Sequence, residues 1–170
     1  MLLVFDFHGC LSLKSGEQLN NLKKYLKIKD TKWYSAMKMS NIDPYIMMPT
    51  LDEVIYFVDY MRKYKCIFAI ASMLEDEIFM YDMMKYCFES KNKISPFVQE
   101  AIISNQPFKK YDKSSHIFNI LKRMKLPKMK IILIDDNEKN VNYMNNIGIK
   151  SILVKNYFRI KDWNENLMNE

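Results

Sequence analysis

Four stretches of the chain carry residues whose chemistry belongs together. "LLVFDFHGCL" (2–11) is an apolar run that breaks at Asp6, with His8 and Gly9 close behind. "CIFAIA" (66–71) ends at Ser72, and "IILI" (131–134) ends in the pair Asp135-Asp136. A Lys-rich turn with Lys109, Lys110 and Lys113 precedes a helical pattern at 114–124. Asp6 and Asp136 suit a shared hard divalent cation, which takes oxygen ligands and keeps several waters. A carboxylate beside such a cation and an ammonium can attack phosphorus, because the positive charges offset the repulsion between anions. A serine hydroxyl and a lysine would hold the remaining phosphoryl oxygens.

These residues have to be positioned by the elements around them. Residues 2–6, 66–71, 131–134 and "SILV" (151–154) read as short buried strands, and "EAIIS" (100–104) as a further short one. Between them lie helical patterns. Thr50 and Glu53 form a capping-box pair ahead of Leu51, Val54, Ile55, Val58 and Met61, which share one helical face. A second helix is expected over 74–88 and a third over 114–124, where Ile117, Ile120, Leu121 and Met124 form the stripe. Lys122, Arg123 and Lys125 fall off that stripe and read as a solvated face. A short helix stops near Gly148, and a polar helix ends the chain. Strands alternating with helices predict an α/β fold, a Rossmann-like parallel sheet flanked by helices. Sites in such sheets lie at the carboxyl ends of the strands, where Asp6, Ser72 and Asp135-Asp136 stand. Residues 12–48 show no strong pattern; "EQLNNLKKYLKI" and "DTKWYSAMKM" are the helical candidates there.

The chain has 170 residues, 49% of them hydrophobic and 27% charged, which suits one globular domain with a sizeable core. The apolar run at 2–5 is too short for a signal-peptide core, and no run approaches the roughly 18 residues of a membrane span. Cys10, Cys66 and Cys87 are scattered, without a CxxC pair, which argues against a disulfide framework or a structural zinc site. A cytoplasmic protein with no membrane role is expected. The net charge of +6 would attract phosphate-bearing partners, but a solvated Lys-rich surface is the preferred reading.

The order "VFDFHGCL", "IAS", a lysine, and "LIDDNEKN" resembles the haloacid dehalogenase (HAD) superfamily of phosphohydrolases. The best likeness is to the magnesium-dependent phosphatase 1 group. It is carried by "MPTLDEVIYFVDYMRKYKCIFAIAS", "DKSSHIFNILKRM" and "IILIDDNEKNVNYMNNIGIKSILV", and it covers residues 1–11 and about 48–155. The resemblance implies a single HAD-like domain over 1–170 with a small cap inserted at 12–48. It implies Mg²⁺ as cofactor and an aspartyl-phosphate on Asp6, which would be both nucleophile and metal ligand. His8 would give the metal its backbone carbonyl, and Ser72 would bind phosphate. Lys113 would bind phosphate and steady the nucleophile, with Lys109 and Lys110 as fallbacks. Asp136 would ligate the metal with support from Asp135. A phosphorylated small molecule or a phosphoprotein is the substrate class implied. A nucleic-acid end phosphate is a lesser option, suggested by the mixed aromatic and basic stretches "FKKYDK" and "KNYFRIKDW".

The departure is at His8, where these phosphatases carry a second Asp as general acid–base. Cys10 also stands where the family has a Thr. Imidazole, with an ordinary pKa of about 6.5, suits proton transfer at neutral pH but is bulkier than a carboxylate. Two readings follow: a phosphatase with weakened or altered activity, or a catalytically inactive phosphate- or metal-binding or scaffolding protein. Plainer readings stand beside each site residue. Ser72 with Glu75 is also a capping box, and Asp135-Asp136-Asn137 is also a turn and N-cap. His116 reads as a packing residue; an Asp6/His8/His116 iron triad explains fewer residues than the strand-end site.

Overall fold

The computed structural model describes residues 1–12, 21–22, 24–26, 32–72, 77–99, 103–104 and 112–169. Its centre is a five-stranded parallel sheet of β1 (Leu2–Phe5), β2 (Ile67–Ala71), β3 (Ile103–Ser104), β4 (Ile131–Asp135) and β5 (Lys150–Leu153), ordered β3-β2-β1-β4-β5. The register sets Phe5 beside Ile70 on one side and Ile134 on the other, so the carboxyl ends of β1, β2 and β4 are level. The order steps outward from β1 to β2 and β3, then reverses to β4 and β5. The switch point of the sheet is therefore between β1 and β4, where such folds open a crevice for ligands.

All four residues of β1 are buried, as are the last four of β4, which is why both read as unbroken apolar runs rather than alternating ones. Phe5 packs edge-on against Phe57, Phe97 and Phe158, with ring centroids 6.2, 5.7 and 5.4 Å away. That cluster ties the end of β1 to helix and C-terminal segments that arrive from far along the chain.

The described helices are α1 (Trp33–Met39), α2 (Pro44–Met47), α3 (Leu51–Arg62), α4 (Glu77–Glu89), α5 (Pro96–Gln99), α6 (Ser114–Arg123), α7 (Glu138–Asn146) and α8 (Asn166–Asn169). In α3 the predicted stripe is buried, with Phe57 added to it. The predicted capping box is not formed. The Thr50 hydroxyl makes no cap hydrogen bond, and the Glu53 carboxylate instead accepts from Ile160 N at 3.0 Å and Arg159 Nη1 at 3.2 Å. A tertiary partner has taken the acid that local chemistry assigned to the cap. The capping pair of Ser72 with Glu75 falls on a residue outside those described.

In α6 Ile117 and Ile120 are buried, while Lys122, Arg123 and Lys125 are exposed. Helix α7 is capped by the Asn137 side chain, which accepts from Lys139 N at 3.0 Å. It ends just before Gly148, whose φ of +85° reverses the chain. The C-terminal helix expected from the sequence is reduced to a 3₁₀ turn (Ile160–Asp162) and the four residues of α8. Within 12–48, α1 packs on α4 through Trp33 and Phe79, 4.7 Å between centroids, and Tyr34 N donates to Asp82 Oδ2 at 2.9 Å. Most of "EQLNNLKKYLKI" lies outside the described residues. No described helix is long and apolar enough to cross a membrane.

Candidate active site

The carboxyl edge at the switch point carries a cluster of charge. Asp6 N donates to Ile134 O at 2.7 Å, which prolongs the β1–β4 ladder by one residue and delivers the Asp6 side chain beside the end of β4. Asp135 closes β4 and Asp136 follows. The three carboxylates offer oxygens that all lie within 4.8 Å of one another, and they form the one acidic cluster of this kind among the described residues.

Lys113 reaches this cluster from the residue before α6. Its ammonium is ion-paired and hydrogen-bonded to Asp6 Oδ1, lies 2.9 Å from Asp135 Oδ2, and donates to Ala71 O at 3.0 Å. One lysine thus joins the ends of β1, β2 and β4. Ser72, directly after Ala71, is buried at the same edge. Lys109 and Lys110 lie outside the described residues.

The two aspartates of β4 have different surroundings. Asp135 is fully buried and accepts from Asn137 N at 2.8 Å and from Asn140 Nδ2 at 3.0 and 3.2 Å, in addition to its pair with Lys113. Asp136 stands nearer the surface. Asn140 was not foreseen. Its signal was a polar residue on the same face of α7 as Val141 and Met144, one that had to find a partner inside.

Gly9 was noted in sequence only as the residue after His8; in the structure its backbone is part of the site. Its φ is +76°, and a Cβ built on it would stand 2.2 Å from Asp136 Oδ2. The turn is closed by Leu11 N and Ser12 N, which both donate to Phe7 O at 3.0 and 2.9 Å. His8 lies in this turn, half-buried, its ring 5.2 Å from that of Phe7. Its imidazole is not part of the acidic cluster, and neither is that of His116, which is buried in α6. An Asp6/His8/His116 iron triad is therefore not assembled.

The electrostatics follow from burial. Loss of water raises the Asp6 carboxyl to about 7, with Asp135 and Asp136 adding to the rise and Lys113 opposing it. Asp136 is pushed upward by burial and by Asp135, again against Lys113. Burial disfavours the Lys113 ammonium, yet Asp6 and Asp135 outweigh it and the lysine holds its proton more tightly than usual. Burial, reinforced by Asp6, holds the Cys10 thiol well above its ordinary range, and Cys10 Sγ donates to Ile134 O at 3.6 Å. One ammonium among three carboxylates leaves an excess of negative charge in a confined site. A small cation bound by oxygen ligands would relieve it, so the residues present fit Mg²⁺.

No protein-family model matches the sequence, and no curated protein matches it. Solved structures do match. A HAD family enzyme of Bacteroides thetaiotaomicron in its magnesium complex superposes with a TM-score of 0.54 at 15% identity, covering 99% of this chain and 98% of that one. The wild-type form of that enzyme, in complex with magnesium and inorganic phosphate, gives 0.53 at 14% identity, covering 91% and 94%. The fold is that of HAD-family enzymes. A third match, a β-phosphoglucomutase assignment from Thermotoga maritima, gives 0.52 at 11% identity, covering 99% and 90%.

Proposed function

We propose that the protein is a Mg²⁺-dependent HAD-type phosphatase that hydrolyses phosphomonoesters through an aspartyl-phosphate on Asp6. The observation that carries the reading is the junction of Asp6, Asp135 and Asp136 with the buried Lys113 ammonium at the switch point of the sheet. The magnesium and phosphate named in the complexes of the similar Bacteroides enzyme support the choice of ligands. Asp6, Asp136 and the backbone carbonyl of His8 would hold the cation, with Asp135 supporting them. When bound, Mg²⁺ supplies positive charge to the phosphoryl oxygens.

The remaining chemistry belongs to the chain. An Asp6 oxygen attacks phosphorus, the ester P–O bond breaks, and the leaving oxygen takes a proton from an acid or from water. Water then attacks the aspartyl-phosphate, releasing inorganic phosphate and restoring the Asp6 carboxylate. Lys113 keeps Asp6 oriented and neutralises charge on the phosphoryl group, and Ser72 binds a phosphoryl oxygen. Asp135 holds Lys113 in place and is itself held by Asn140 and Asn137. His8 takes the proton-transfer role at the position where the related phosphatases carry Asp, at reduced efficiency with poor leaving groups. Substrates would be phosphorylated small molecules or phosphoproteins, with a nucleic-acid end phosphate as a lesser option. The chain would act as a single domain with 12–48 as its cap.

His8 also favours a second reading, a HAD-fold protein that binds phosphate or metal without turnover. Hydrolysis of p-nitrophenyl phosphate with Mg²⁺ separates the two. A phosphatase loses turnover on Asp6→Asn and gains about 10²-fold on His8→Asp, the scale of general acid–base help. A wild-type protein that binds Mg²⁺ but never turns over this activated ester is the binding protein.

A further inference from the structure

The loop that follows β1 is held from outside by the segment that follows β5. Val154 N donates to Asp135 O at 3.0 Å, which keeps the chain on the carboxyl edge of the sheet. It then turns onto the Gly9 loop, where Tyr157 N donates to Gly9 O at 3.2 Å and Phe158 N to Cys10 O at 2.8 Å. Phe158 is fully buried and anchors the segment against Phe57, 4.8 Å between centroids.

Asn156 and Tyr157 both have left-handed backbone, with φ of +57° and +72°. Asparagine tolerates that region, whereas tyrosine rarely enters it, and two such residues in succession persist only where their surroundings impose the conformation. The corner turns the successive N–H groups of Tyr157 and Phe158 toward successive carbonyls of one loop. An extended strand, with its alternating directions, does not present donors in that way. On its other side Gly9 is pressed against Asp136, so close that no Cβ fits between them.

We propose that the Asn156–Tyr157 corner is a positioning clasp that fixes the Gly9 loop against Asp136 and so sets the gap between the Asp6 and Asp136 carboxylates. Its consequence for cation binding rests on the reading of those carboxylates as the cation site. Tyr157 acts through its main chain and is a positioning residue; it need not touch substrate.

Tyr157→Gly and Tyr157→Pro both remove the phenol, but only glycine keeps the N–H and accepts a positive φ. Two readouts are taken on each: amide hydrogen exchange at residues 7–12, and Mg²⁺ affinity by calorimetry. Tyr157→Gly is expected to stay nearer wild type than Tyr157→Pro in both. Tyr157→Pro is expected to speed exchange in the loop and to weaken Mg²⁺ binding by about tenfold or more, as lost outer-shell support does. Asn156→Val keeps every backbone N–H and disfavours the left-handed region; it gives the same direction should the proline variant not fold. Equal behaviour of the glycine and proline variants, or wild-type loop exchange in both Tyr157→Pro and Asn156→Val, overturns the clasp. Loss of loop protection in a protein whose wild type binds no Mg²⁺ leaves the clasp standing and removes the cation reading instead.

Discussion

Lys113 Nζ stands 2.9 Å from Asp135 Oδ2 with both side chains withdrawn from water, the lysine 2% and the aspartate 0% exposed. A buried pair of this kind contributes little net stability, but losing one partner strands the other. Asp135 keeps its hydrogen bonds from Asn137 and Asn140, while among the described residues no second cation is paired with Asp6. Lys113→Met is therefore expected to cost about 3–5 kcal/mol in urea unfolding at neutral pH. The sign with pH follows from the stranded carboxylates. They are charged and repel one another at high pH, and without Lys113 Asp6 takes up its proton above its value of about 7, so the deficit is largest well above pH 7 and shrinks as the pH falls to about 7. A deficit independent of pH would mean that Lys113 acts by packing alone.

Gly9 is required by two constraints at once, a φ of +76° and the 2.2 Å approach of Asp136 Oδ2 to any added Cβ. Gly9→Ala is expected to destabilise the fold by about 1–3 kcal/mol and to weaken divalent-cation binding, because Asp136 must move. The two causes separate in a double-mutant cycle. In an Asp136→Ala background the clash is gone and only the φ penalty remains, so the cost of Gly9→Ala in unfolding experiments should fall. Equal costs in both backgrounds would remove the contact from the account.

The parts of this arrangement that were legible in sequence are those that burial writes locally. β1 and β4 show as apolar runs because parallel strands covered on both faces admit little else, and their ends point to Asp6 and Asp135-Asp136. Lys113 needed family likeness, since Lys109 and Lys110 have the same chemistry a few residues away. Asn140 and Gly9 were missed because their roles depend on which strand ends become neighbours. The Thr50–Glu53 cap failed for a related reason: Arg159 and Ile160, more than a hundred positions later, claim the Glu53 carboxylate. Helices α2 and α5, four residues each, are too short for a periodic pattern to appear.

Three carboxylates and one ammonium make a site whose native state should gain from a bound cation. Mg²⁺ at about 100 times its dissociation constant would add about 2.7 kcal/mol to the unfolding free energy. The thermal midpoint is expected to rise with Mg²⁺ and to return to its starting value on addition of EDTA. Asp136→Asn removes a proposed ligand while leaving the Lys113–Asp135 pair in place, and should abolish the Mg²⁺ response with little change in the metal-free midpoint. A response that survives Asp136→Asn would place the cation elsewhere.

Cys10, Cys66 and Cys87 are all buried and free, and burial raises the pKa of each thiol above its ordinary value. The thiolate is the reactive form, so raised values and lack of access act in the same direction. At about pH 8, where an ordinary exposed cysteine reacts readily, the native protein is expected to react slowly with a thiol-specific chromogenic reagent and to yield its full complement of thiols only in denaturant. Cys10 gives the sharper test. It is fully buried and its Sγ donates to Ile134 O beneath the carboxylate cluster, so modification there requires the Asp6–Ser12 turn to open. Mapping the modified residue by mass spectrometry should find Cys10 protected for as long as the turn is closed. Rapid native labelling of Cys10 would show that the turn opens freely, and a loop that mobile could not hold Asp6 and Asp136 at a fixed separation.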